Sequence, residues 1–113
     1  MADQKEIEKK IQELQILEQN LQALMMQKQA FQLELNQTVN ALSEVEKTND
    51  EIYKLAGSIM LKADKKIVIK ELGEKKKILE LRTNAIEKQE KFLESKAEEI
   101  KAEAKKVLKE KKA

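Results

Sequence analysis

Residues 51–64 read EIYKLAGSIMLKAD, and their chemistry differs from that of the sequence on either side. Residues 52–55 and 59–62 form two short runs rich in strand-favouring residues, and Ala56, Gly57 and Ser58 join them. Glycine readily adopts the positive φ that a tight hairpin turn requires. The segment therefore predicts a small β-hairpin over residues 51–63.

Outside this segment, one residue in every seven forms two rows that mirror each other about Gly57. The rows are Ile7, Leu14, Leu21, Lys28, Leu35 and Leu42 before it, and Leu72, Leu79, Ile86, Leu93, Ile100 and Val107 after it. All are large and aliphatic except Lys28. A spacing of seven keeps one face of a helix against a partner when the pair supercoils left-handedly. The rows predict a long antiparallel two-helix coiled-coil hairpin.

The expected fold is mainly α, with residues 1–113 forming a single domain. Helix 1 is predicted over residues 3–48, and helix 2 over residues 64–110 with Asp64 as its N-cap. Gly73 lies inside the second helix and costs about 1 kcal/mol relative to Ala.

A second row in each helix is less regular, which predicts a loosely locked pair. In helix 1 it is shared by Ile11, Leu17, Leu24 or Met25, Phe31, Val39 and Val45; in helix 2 it comprises Lys76, Thr83, Glu90, Ala97 and Ala104. Met25 and Met26 are expected to pack in the seam between the helices. Lys28 falls opposite Ile86, where a polar residue either leaves a hydrated gap or sets the register.

Composition argues against several classes of function. Of 113 residues, 39% are charged and 3% aromatic, the net charge is +2, and Cys, His, Trp and Pro are absent. A nucleic-acid-binding protein would show a clustered excess of basic residues. Catalysis, metal binding and cofactors have no supporting motif, so we expect no enzyme and no cofactor. The polar N-terminus and the lack of a long apolar run predict neither a signal peptide nor a membrane span.

The predicted hairpin carries apolar residues on both faces, more than a solvated ribbon needs. An isolated two-stranded hairpin is marginal in water, and its edges offer unpaired backbone groups. We therefore expect hairpins from several subunits to join into a shared sheet or barrel. The assembly residues would be Ile52, Tyr53, Leu55, Gly57, Ile59, Met60 and Leu61. The alternative is that the hairpin folds back over the helix roots.

The segment at 51–64, with KELGEKKKILELR at 70–82 and EKQE at 87–90, resembles the beta-type subunit of prefoldin. Beta-type chains have one hairpin between their helices and alpha-type chains have two; only one fits here. The resemblance implies an ATP-independent holdase of the archaeal or eukaryotic cytosol. It also implies a hexamer of two alpha-type and four beta-type subunits, whose hairpins form a double β-barrel platform.

In this family the distal coiled-coil tips bind non-native proteins and deliver them to a group II chaperonin. The tip candidates in this chain are Ile7, Ile11, Leu14, Ile100, Val107 and Leu108. Terminal helical turns fray, and a frayed seam exposes apolar side chains to other chains. The alternative is that these residues simply complete the coiled coil. A lysine-rich tail is the candidate for contact with the chaperonin: Lys105, Lys106, Lys109, Lys111 and Lys112.

Two other functions compete with this interpretation. A structural coiled-coil scaffold or tether would have heptads without the apolar hairpin. An RNA-contacting coiled-coil arm would need a basic stripe with aromatic residues, whereas Phe31, Tyr53 and Phe92 are scattered.

Overall fold

The computed structural model describes residues 2–112, and the side chains of residues 4–110. The element order is α1 (Ala2–Lys47), β1 (Ile52–Ala56), β2 (Ile59–Ala63) and α2 (Lys65–Lys112). The predicted order of helix, β-hairpin and helix is confirmed. The chain divides into two compact units. We call Met1–Lys28 with Ala85–Ala113 the end unit, and Gln29–Asn84 the hairpin unit.

The ends of the helices next to the hairpin are capped by polar side chains. Asp64 Oδ1 accepts a hydrogen bond of 3.0 Å from the Lys66 N–H, so Asp64 is the N-cap of α2. Lys65 Nζ donates to the Thr48 carbonyl at 2.8 Å and to the Glu46 carbonyl at 3.3 Å. A cation on the last carbonyls of α1 also complements the negative end of the helix dipole.

The hairpin turn consists of two residues, Gly57 and Ser58. The strands are antiparallel, and their register pairs Ala56 with Ile59 and Ile52 with Ala63. Gly57 has a φ of +63°, and no other residue in the described part of the chain has a positive φ. Positive φ at the first turn residue alone fits a type II′ turn, whose twist matches that of the strands.

Within each unit the two helices pack along a narrow seam. The seam of the hairpin unit buries Thr38, Leu79 and Thr83, and that of the end unit buries Ile86 and Ala97. Each buried threonine hydroxyl donates at 2.8 Å to the carbonyl four residues earlier, so both hydroxyl groups have a hydrogen-bond partner. The predicted companion row in α2 is correct: Lys76, Thr83, Glu90, Ala97 and Ala104 are all buried or half-buried.

The second row of α1 differs from the prediction at several positions. Lys10 and Thr38 occupy it, while their neighbours Ile11 and Val39 are exposed. Met25 and Met26 were expected in the seam and are 52% and 67% exposed. The strict heptad places positions 10, 17, 24, 31, 38 and 45 inward, and a residue one position away points about 100° around the helix.

Ion pairs within each unit confirm that the two helices run antiparallel. Lys10 pairs with Glu103 in the end unit. In the hairpin unit Lys75 Nζ lies 3.2 Å from Glu34 Oε1. In both pairs an early residue of one helix meets a late residue of the other.

Candidate binding surfaces

The β-hairpin exposes large apolar side chains on both faces. Residues paired across an antiparallel sheet share a face, so Leu55 and Met60 lie on one face, and Ile59 and Leu61 on the other. These side chains are 68%, 67%, 62% and 53% exposed, respectively. A sheet with one solvated face would instead alternate apolar and polar residues. Neither face is therefore suited to permanent contact with water.

The remaining predicted assembly residues lie at the base and the turn of the hairpin. Ile52 is half-buried, Tyr53 is exposed, and Gly57 forms the turn. In the described part of the chain, β1 and β2 pair only with each other. The outer edge of each strand therefore offers backbone N–H and C=O groups to another strand.

A small polar cluster holds the base of the hairpin. The Tyr53 hydroxyl donates to Glu51 Oε2 at 2.8 Å, and Lys62 Nζ donates to Glu51 Oε1 at 3.1 Å. These two hydrogen bonds, the tyrosine's foremost, lower the pKa of Glu51 below its ordinary value. The same bond raises the pKa of Tyr53, since the phenol must keep its proton to donate it. Lys54 also reaches Glu71 of α2 at 3.1 Å.

The structure separates the six predicted tip residues into two groups. Ile7, Leu14, Ile100 and Val107 are half-buried in the seam of the end unit. Ile11 and Leu108 are 47% and 45% exposed, because each lies one position beyond a seam residue. Of the lysine-rich tail, Lys105, Lys106 and Lys109 are exposed, and the side chains of Lys111 and Lys112 lie outside the described residues.

Two grooves along one flank of the end unit were missed by the sequence analysis. The amide groove, of about 430 Å³, is lined by Asn20, Ala23, Leu24, Gln27, Gln89, Phe92 and Leu93. The acidic groove, of about 440 Å³, is lined by Glu13, Ile16, Leu17, Lys96, Glu99, Ile100 and Glu103. Ile16 and Phe92 are 58% and 61% exposed within them. Their signal in the sequence was an apolar residue beside the seam, outside both heptad rows.

Lys28 forms a charged contact in the seam of the end unit. Its ammonium lies 3.4 Å from Glu90 Oε1 and 3.9 Å from Glu87 Oε1. Glu90 Oε1 is buried and accepts no hydrogen bond from the described residues, so the Lys28 charge is what compensates it. The two charged residues meet across the seam, where Lys28 was predicted to interrupt the aliphatic row.

The described residues lack the features of two other kinds of site. They contain no group of three or more side chains able to hold a metal ion. None of the helices in the described range is long and apolar enough to cross a membrane. Within that range no large side chain is completely enclosed, as expected where two helices meet along a single seam.

Comparison with known proteins identifies the family. A sequence profile of the prefoldin subunit family matches residues 4–111. Prefoldin subunit beta of Thermococcus onnurineus is 43% identical over 90 residues, covering 78% of each chain. That of Thermococcus gammatolerans is 42% identical over 106 residues, covering 92% of this chain and 91% of the relative.

A solved structure has the same fold. The crystal structure of the prefoldin beta subunit from Thermococcus strain KS-1 superposes with a TM-score of 0.85 at 36% identity, covering 90% of this chain and 91% of that one. The family consists of chaperones rather than enzymes, and the predicted beta-type resemblance is confirmed. With one β-hairpin between two long helices in its described residues, the chain belongs to the prefoldin subunit family.

Proposed function

We propose that this chain is a beta-type subunit of a prefoldin hexamer that holds non-native proteins without ATP. In this proposal two alpha-type and four beta-type subunits assemble in the cytoplasm and deliver clients to a group II chaperonin. The observation that carries the proposal is the hairpin. Its two faces are apolar and exposed and its two edges are open, so it requires partner strands.

Assembly through the hairpin predicts a sharp response to charge. Leu55→Lys places an ammonium on a face that becomes buried, whereas Leu81→Lys makes the same change on α2 at the same 68% exposure. We expect the first variant to lose the hexamer when mixed with an alpha-type subunit, and the second to retain it, because an unpaired charge is costly to bury. Native mass spectrometry reads out both, and Leu61→Lys should behave as Leu55→Lys does. An intact hexamer with Leu55→Lys would contradict assembly through a shared barrel.

Client capture is assigned to the end unit, which contains both terminal segments. Its seam residues near the two termini, Ile7, Leu14, Ile100 and Val107, are only half-buried, and removal of apolar surface from water contributes about 25 cal/mol per Å². One such unit binds weakly, but several in one oligomer raise the affinity through effective concentration. The exposed lysines at 105, 106 and 109 are the proposed contact with an acidic surface of the chaperonin.

A truncation tests this assignment. Deleting the residues before Leu14 and after Ile100 removes four of the six predicted tip residues and the Lys10–Glu103 ion pair. We expect the hexamer to form at the same mass, while suppression of aggregation of a chemically denatured test protein weakens. Loss of the hexamer with capture unchanged would show that assembly and capture are assigned to the wrong units.

A further inference from the structure

The two grooves of the end unit are the same surface repeated after one heptad. Six of the seven residues that line the acidic groove, all except Glu103, have a counterpart seven positions away in the amide groove, so Leu17 corresponds to Leu24 and Ile100 to Leu93. Their floors are therefore equally aliphatic, and their volumes nearly equal. The rims differ: Glu13 and Glu99 stand where the other groove has Asn20 and Phe92.

Two carboxylates on the rim of the acidic groove have no ion-pair partner in the described part of the chain. Glu103 is paired with Lys10, so its charge is already compensated. The Lys96 ammonium lies 5.3 Å from the centroid of the Phe92 ring, in a cation–π contact. Glu13 and Glu99 are exposed, and neither forms an ion pair within 4 Å with a side chain in the described range. They stand beside Ile16, which leaves more than half of its surface in water.

We propose that the acidic groove binds client segments in which a bulky apolar side chain is flanked by lysine or arginine. The apolar side chain packs on Ile16, Leu17 and Ile100, and the flanking cations meet the carboxylates of Glu13 and Glu99. Segments flanked by acidic residues are repelled at the same place. The inference rests on the proposed function and adds a chemical preference to it: unfolded proteins are captured preferentially through their basic apolar stretches.

The test uses the full chain in its native assembly and two short fluorescent peptides. Both peptides have the same central leucine and phenylalanine residues; one is flanked by lysines and the other by glutamates. Two exposed ion pairs favour the lysine peptide by roughly five-fold in Kd, read by fluorescence anisotropy. Raising the salt concentration narrows the difference, since exposed charges are screened.

Paired variants locate the preference. Glu13→Gln with Glu99→Gln should reduce the discrimination to less than about two-fold. The control, Glu18→Gln with Glu94→Gln, removes the same charge from exposed positions on the opposite flank and should leave it unchanged. Ile16→Gln should weaken both peptides, whereas Met26→Gln, at 67% exposure outside the grooves, should weaken neither.

The outcomes separate this inference from the proposed function. Equal affinity for the two peptides in an assembly that suppresses aggregation overturns the acidic groove and leaves the chaperone function standing. Loss of discrimination in the opposite-flank control also overturns it, because the preference would then come from net charge. An assembly that neither binds the two peptides nor suppresses aggregation overturns both proposals.

Discussion

The Lys28–Glu90 contact predicts an asymmetric effect of removing either charge. Lys28→Met leaves Glu90 with its buried oxygen uncompensated, because no hydrogen bond from the described residues replaces the ammonium. Glu90→Gln leaves the Lys28 charge without Glu90, but the Lys28 side chain is 28% exposed to water, against 14% for that of Glu90. Lys28 also keeps a second partner, Glu87, at 3.9 Å. We therefore expect the lysine substitution to be the more destabilising.

The geometry bounds the size of the effect. Two unit charges 3.4 Å apart attract by about 1 kcal/mol in water, and by about 5 kcal/mol at an effective dielectric constant of 20. Desolvation of the two groups offsets much of the larger value. We expect Lys28→Met to cost about 2 kcal/mol, Glu90→Gln about 0.5 kcal/mol, and the double variant to lie within about 0.5 kcal/mol of the unmodified chain. The coupling energy is then about 2.5 kcal/mol.

Thermal unfolding followed by circular dichroism, at one fixed chain concentration, measures this cycle. Roughly 4 °C in Tm corresponds to 1 kcal/mol for a chain of this size. The control cycle uses Glu34 and Lys75, whose ion pair is 46% and 51% exposed; its coupling should stay below about 0.5 kcal/mol. Equal costs for Lys28→Met and Glu90→Gln, or a double variant as unstable as their sum, would refute the reasoning.

Two further predictions concern the glycines and the hairpin base. Gly57→Ala should destabilise by about 1 kcal/mol because the left-handed conformation at φ +63° opposes a side chain, although its Cβ would meet no atom within 4 Å. Gly73→Ala, with equally open space inside α2, should stabilise the fold by about 0.5–1 kcal/mol. The two variants should therefore shift the Tm of thermal unfolding in opposite directions. Shifts of the same sign would contradict this reasoning. Because the pKa of Glu51 is lowered, ionised Glu51 stabilises the fold above the usual carboxyl pKa, and this stabilisation is lost as the pH falls below about 4. Because the pKa of Tyr53 is raised, the protonated phenol stabilises the fold below about pH 10, and this stabilisation is lost as the pH rises further. Tyr53→Phe should move the pKa of Glu51 back toward its ordinary value in a carboxyl-carbon NMR titration, and an unchanged titration would show that the Tyr53 hydrogen bond is not the cause.

Local sequence signals predicted the elements because each depends on neighbouring residues. Gly57 forms the turn and Asp64 caps α2, since positive φ and an N-cap carboxylate act over one or two residues. The mirrored rows predicted the seam, in which Leu79 and Ile86 are buried. Aliphatic side chains repeated every seven residues specify which stripe of a helix is covered.

The second row of α1 could not be read in the same way. Ile11 and Val39 are more apolar than Lys10 and Thr38, yet the latter two lie toward the seam. Side-chain hydrophobicity favours Ile11 and Val39 for the seam, whereas the helix geometry turns the adjacent residues, Lys10 and Thr38, toward it. Neighbouring positions on a helix point about 100° apart. Hydrophobicity alone therefore misplaced Met25 and Met26 as well.

The sequence by itself determined the fold, the family resemblance and the two segments proposed to assemble and to bind. Only the tertiary structure decided which charges meet Lys28, and which flank of the end unit forms the two grooves. Glu90 and Lys28 are far apart in sequence, as are Ile16 and Ile100, and each pair is brought together by the packing of one helix on the other. A heptad repeat specifies a stripe on each helix, whereas partners across the seam are set by the register and rotation of both helices together.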